Sequence, residues 1–153
     1  MGVSNPTKVI VVGTGPCWQE EFEEVWKYND DADVIAVNWS IPELPKVTHA
    51  VTQHPDKLEV WLEDRTEKIT THSRYNKFSL ANYEWPFESK YNSGLCGILL
   101  AKWLAYDSVY VVGVPLSEGY KAKFLIRFFL DNKNLFTNVF VPDNYWWKEY
   151  VKD

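Results

Sequence analysis

Apolar residues along this chain fall into short continuous runs, separated by stretches with helical spacing. Lys8 to Val12 (KVIVV) is rich in β-branched residues and stops at Gly13-Thr14-Gly15-Pro16, which predicts a buried strand ending in a tight turn. From Trp18 to Tyr28, Phe22, Val25 and Trp26 share one helical face while Glu20, Glu21, Glu23 and Glu24 fall elsewhere. A second buried strand is expected at Asp33 to Asn38 (DVIAVN) and a third at Val47 to Thr52 (VTHAVT). Pro55 then suits the first turn of a helix whose apolar positions are Leu58, Trp61 and Leu62.

Beyond Arg65, Lys68 to His72 (KITTH) reads as a further strand, and Ser73 to Lys90, lacking a clean period and punctuated by Asn, Ser and Pro, reads as loop. Asn92 precedes a helix to Tyr106 with Leu95, Ile98, Leu99, Trp103 and Tyr106 on one side. Ser108 to Gly113 (SVYVVG) is the fourth confident strand, followed by the loop Val114 to Gly119. A helix from about Tyr120 to Asp131, a strand Thr137 to Val141 and an aromatic tail Asp143 to Tyr150 complete the pattern.

Alternating strands and helices with continuously apolar strands predict a mainly parallel sheet covered on both faces. The expected fold is thus a doubly wound, Rossmann-like α/β domain, with residues 1–153 forming a single unit. In such folds ligands bind beyond the carboxyl ends of the strands, where strand order reverses. That rule gathers Gly13 to Cys17, Asn38 with the residues after it, and Val114 to Gly119 around one crevice.

Composition narrows the function classes. With 46% hydrophobic and 24% charged residues the chain is of the ordinary globular kind, and no apolar stretch approaches bilayer-spanning length. The polar segment Met1 to Lys8 carries no signal-peptide pattern, so the expected location is the cytoplasm. Sixteen basic against 21 acidic residues, a net charge of -5, disfavour nucleic acid as a partner. Cys17 and Cys96 offer neither a disulfide framework nor metal spacing, and no pair among the three histidines has the i, i+4 spacing of a helical metal site. The expectation is reduced thiols, no metal and no cofactor. Aromatic residues reach 16%, and Tyr145, Trp146, Trp147 and Tyr150 are hard to place within one small core, which points to a homo-oligomer.

Several residues are candidates for binding. A turn such as Gly13-Thr14-Gly15 lets backbone N–H groups approach a phosphate or sugar, although Trp18 stands where the third glycine of the dinucleotide fingerprint falls, and a plain change of direction explains the turn equally well. Ser93-Gly94 at a helix start offers free donors and a hydroxyl; the alternative is a cap with close packing, along a stripe of Gly94, Gly97, Ala101 and Ala105. His54 and His72 follow or end strands and are the candidate general bases should the protein be an enzyme, while His54 also suits a cap beside Pro55. Lys123 and Arg127, one helical turn apart after the last crevice loop, would neutralise a diphosphate or simply form a solvated face.

Three segments, VIVVGTGPCW, VIAVNWS and YNSGLCGILLAKWLAYDSVYVVGVPL, together resemble the nucleotide-binding framework of small bacterial sialyltransferases that use CMP-sialic acid. The same order, with THAVTQHPDKL between, is also similar to a group of small phage proteins. The resemblance implies that Gly13, Thr14 and Gly15 meet the nucleotide phosphate and ribose, that Asn38 lies near the base or ribose, and that Ser93-Gly94 lie against the nucleotide. Thr14 stands where the sialyltransferases carry asparagine, and no histidine follows Gly113, where they carry their catalytic base. What is implied is a retained nucleotide-shaped pocket without the transferase machinery.

The first reading is therefore a non-catalytic binder of a nucleotide-derived small molecule, of the kind a phage uses in the host cytoplasm to sequester an immune signal such as an ADP-ribose derivative or cyclic nucleotide. An aromatic ring, Trp39 or one from Ser73 to Tyr91, would cover the base. The alternatives are a transferase or hydrolase acting on a nucleotide or nucleotide-sugar, and a structural or interaction protein.

Overall fold

A five-residue apolar run can be buried on both sides only in the middle of a sheet, and the structure puts such runs there. It is a computed structural model that describes residues 7–73, 83–84, 92–116 and 122–151. The strands are β1 (Lys8–Val12), β2 (Asp33–Val37), β3 (His49–Thr52), β4 (Thr70–Ser73), β5 (Tyr83–Glu84), β6 (Ser108–Val112) and β7 (Val139–Phe140). The helices are α1 (Trp18–Trp26), α2 (Leu58–Leu62), α3 (Ser93–Trp103) and α4 (Ala122–Asp131). All pairings are parallel, in the order β5-β4-β3-β2-β1-β6-β7. From β1 the chain winds outward to β5, then crosses back over the sheet to β6. The topological switch point thus lies between β1 and β6, whose residues pair in register from Lys8 with Ser108 to Val12 with Val112.

Period-two alternation sends successive side chains to opposite layers. Ile10, Val12, Val34, Ala36 and Ala50 meet α1 through Trp18 and Phe22, and α2 through Leu58 and Trp61. Val9, Val11, Ile35, Val37 and Val51 meet α3 and α4 on the other face. The fold is the doubly wound α/β domain expected. Helix α3 is buried almost all round from Leu95 to Ala101, because it crosses the middle of the sheet. Its small-residue stripe is what lets it lie so close: a Cβ on Gly97 would stand 2.9 Å from Val11 Cγ1, and one on Gly94 2.8 Å from Val114 Cγ1.

Several boundaries differ from expectation: helix α3 ends at Trp103 and not Tyr106, and β3 begins at His49 and not Val47. Tyr83–Glu84 pairs with β4, so part of the segment read as loop is an edge strand, too short to carry a period; residues 74–82 and 85–90 of that segment lie outside the described residues. The last strand shrinks from Thr137–Val141 to Val139–Phe140, since Lys133–Phe136 forms a 3-10 turn and Asn138 is left-handed. The helix after His54 opens as a 3-10 turn, Pro55–Lys57, before α2.

The tail meant to signal an oligomer folds onto its own core instead. Tyr145 is 4% and Trp147 0% exposed, and the rings of Trp147 and Tyr150 stack on Phe129 at 5.2 and 5.6 Å. Trp147 Nε1 donates to Val114 O at 3.1 Å, and Trp146 Nε1 donates to Leu116 O. Burial within one chain removes the reason those rings offered for self-assembly. No helix among the described residues is long and apolar enough to cross a membrane.

Candidate functional site

At the switch point the two strand ends touch through their glycines. Gly13 N–H donates to Val112 O at 2.9 Å and Gly15 N–H to Gly113 O at 2.8 Å. A side chain on Gly13 would run into Gly113 O, and one on Gly15 would stand 2.5 Å from Pro115 Cδ. Glycine is needed here because two backbones approach each other. Two of the loop's N–H groups are consequently committed to β6, and Thr14 stays exposed on the rim. On the β6 side, Gly113 N–H donates to Glu21 Oε1 at 2.8 Å, Tyr145 Oη donates to the same oxygen at 2.7 Å, and Val114 N–H donates to Tyr145 Oη at 2.9 Å. The chain's own carboxylate and phenol thus occupy the donors at the end of β6. Burial and the Glu21 carboxylate push the Tyr145 phenol well above its ordinary pKa, so it stays protonated and donates.

The two helix starts at this edge differ in charge. Helix α1 carries Glu20 and Glu21 in its first turn, which offset its positive end, and its N-cap Cys17 makes no side-chain cap bond. Helix α3 has no acidic residue in its first turn. Asn92 is its cap, accepting from Leu95 N–H at 2.8 Å, and Ser93 and Gly94 follow. Of the two, α3 suits an anion better.

At the ends of β2 and β3, Asn38 adopts φ 54° and its Oδ1 accepts from Thr52 Oγ1 at 2.8 Å; that hydroxyl in turn accepts from His54 N–H at 2.9 Å. Among the described residues nothing bonds Asn38 Nδ2. Trp39 follows, 56% exposed, with its ring edge-on to buried Trp61 at 5.4 Å. Buried Ser40 ties the strand ends together, its hydroxyl accepting from Val37 N–H at 2.9 Å and donating to Val12 O at 2.8 Å. Among the described residues, Ser73 Oγ and Trp61 Nε1 are buried polar atoms without a hydrogen-bond partner. Thr52, Ser73, Ser40 and Trp61 escape sequence reasoning because their roles depend on strand register; Thr52 opposes Ser73 across β3 and β4.

The remaining candidates separate. His54 is exposed and caps the 3-10 turn through its backbone only. Arg127 pairs with Asp131 at 3.1 Å, an exposed (i, i+4) contact, and Lys123 is exposed near the start of α4. His72 turns inward, 3% exposed, with Nε2 3.1 Å from His49 Nδ1. His49 Nε2 lies 3.3 Å from Tyr106 Oη, which donates to Asp33 Oδ2 at 2.6 Å. Since Tyr106 donates to the carboxylate, it accepts from His49 Nε2–H, leaving His49 Nδ1 to accept from His72. The chain of donors fixes both tautomers, with His49 Nδ1 held as an acceptor and so unprotonated.

Burial, and then the neighbouring His49, pull His72 down to a pKa of about 4, and burial lowers His49 as well. A depressed folded-state value means that the unfolded chain binds the proton first. The stabilisation is complete above the ordinary histidine value of 6.5 and is lost as pH falls toward about 4. The unfolding free energy, read from urea titrations, should therefore drop across that window, by up to about 1.4 kcal/mol per pH unit for each proton taken up. A His72→Gln protein should show a shallower slope, whatever its stability at neutral pH; an equal slope would place the acid sensitivity elsewhere.

Fold and strand ends together define a doubly wound α/β protein whose switch point is closed by its own side chains and whose polar and aromatic groups collect at the ends of β2 and β3. No family model, curated protein or solved structure matches the chain.

Proposed function

We propose that the chain binds a nucleotide-derived small molecule across the strand ends and holds it without converting it. The observation that carries this reading is Trp39, an indole left more than half exposed beside a strand-end amide whose Nδ2 is free among the described residues. Such a pair suits a base stacked on the ring and a sugar or base edge bonded by the amide. The anionic part would lie at the start of α3, against Ser93 and Gly94, rather than at the acidic first turn of α1. Asn38 is in the left-handed region, which asparagine tolerates well, and its amide is held by the Thr52 hydroxyl, as suits a positioned binding group. The resemblance to small phage proteins makes sequestration of a host nucleotide signal the biological use this reading favours.

Exposure of the protein to a mixture of mononucleotides, cyclic nucleotides and ADP-ribose, followed by gel filtration, should carry one compound through with the protein. Trp39→Ala should weaken retention of that compound by about ten- to a hundredfold, the scale of one base–aromatic stack, with circular dichroism unchanged because the ring is outside the core. Retention equal to that of the parent would remove Trp39 from the site and with it the main support for the reading.

A further inference from the structure

Among the described residues, one corner of the sheet carries no helix. Helices α1 and α2 cover one face and α3 and α4 the other, so on the α1 face the outer strands β6 and β7 are flanked by α1 alone. Tyr110 and Phe140 fill that corner, half-buried and stacked at 5.1 Å with 26° between their planes. Beside them is a cleft of about 380 Å³, floored by Tyr110, Val112, Phe140 and Pro142. That volume is the size of a small-molecule site.

The wall along α1 is acidic: Glu20, Glu21 and Glu24 line it, and among the described residues no basic one does. Glu24 has an exposed ion pair with Lys27 at 3.3 Å. Glu20 has no ion pair or hydrogen bond among the described residues. Both hydrogen bonds to Glu21 fall on Oε1, and among the described residues none falls on Oε2. A second copy of the chain is a poor occupant, since it would bring the same acidic wall and a net charge of -5.

We propose that this cleft binds a small lipophilic ammonium, an aryl- or alkylamine whose apolar body lies on Tyr110 and Phe140 and whose cation meets Glu20 and Glu21. The rings hold the apolar body of any of these compounds, and the carboxylates favour the cation over its neutral and, more strongly, its anionic counterpart. The site is independent of the nucleotide reading, because it lies between α1 and β7 and uses neither Trp39 nor the start of α3.

Three probes of similar shape test it: phenethylammonium, 2-phenylethanol and phenylacetate, titrated by NMR against the full chain. Phenethylammonium is expected to bind about tenfold more tightly than the alcohol, and the carboxylate more weakly still, with the preference shrinking at high salt. The double variant Glu20→Gln with Glu24→Gln should cut the preference to about threefold with the fold intact, since both side chains are exposed. Trp39→Ala should leave it unchanged. Equal affinity for the three probes, no saturable binding of the ammonium, or a preference untouched by the double variant would overturn the proposal. Binding of a basic peptide in place of the ammonium would overturn it as well.

Discussion

A Trp147→Ala chain is expected to lose about 3–5 kcal/mol of stability, the range for deleting a large buried aromatic ring. Trp147 is fully buried, stacks on Phe129 with 8° between the planes, and meets Phe136 edge-on. Its indole N–H also satisfies Val114 O at the end of β6, so truncation leaves both a cavity and an unmatched carbonyl. Urea unfolding would read the effect as a lower midpoint at constant slope. A loss under about 1 kcal/mol would be the scale of a surface substitution and would mean that the tail does not belong to the core.

Gly113→Ala is the second change with a large expected cost. Gly113 has φ +68°, and an added Cβ would run into Gly13 O and come within 2.7 Å of Trp18 Cβ. Left-handed strain of about 1–2 kcal/mol adds to about 1–3 kcal/mol of overpacking. Relief would require β1 and β6 to part at the switch point, where the strands pair in register from Lys8 with Ser108 to Val12 with Val112. Thermal unfolding should show a drop larger than that for alanine at exposed Thr14, which touches the same loop without entering the contact. Equal drops would mean that the two loops have room to separate.

Both expectations rest on contacts that differ greatly in how far the sequence discloses them. Strands β1, β2 and β6 were legible almost to the residue, because each is a continuous apolar run stopped by glycine or asparagine, a local signal. The asparagine cap of α3 was legible for the same reason. Strand β5 was not, since two residues cannot show a period, and the place of Trp147 was not, since its partners Phe129 and Val114 are distant along the chain. The glycine turn after β1 was expected at a crevice and lies at the switch point, yet two of its N–H groups bond to the end of β6, which only the pairing of two distant strands reveals. His72 was expected to face that crevice; its bond to His49 depends on the parallel register of β3 and β4. Trp39 and Asn38 were legible as followers of a central strand, but the Thr52 hydroxyl that fixes Asn38 was not.

The central claim is retention of a nucleotide-type ligand without turnover, and the most direct measurement is mass balance. Protein saturated with the compound it carries through gel filtration is incubated, heated to denature it, and the released small molecules are quantified by mass spectrometry against the amount added. The account predicts full recovery of the unaltered compound, with no loss on prolonged incubation. Appearance of a cleaved or transferred product that grows with time, or release of nothing, would contradict it.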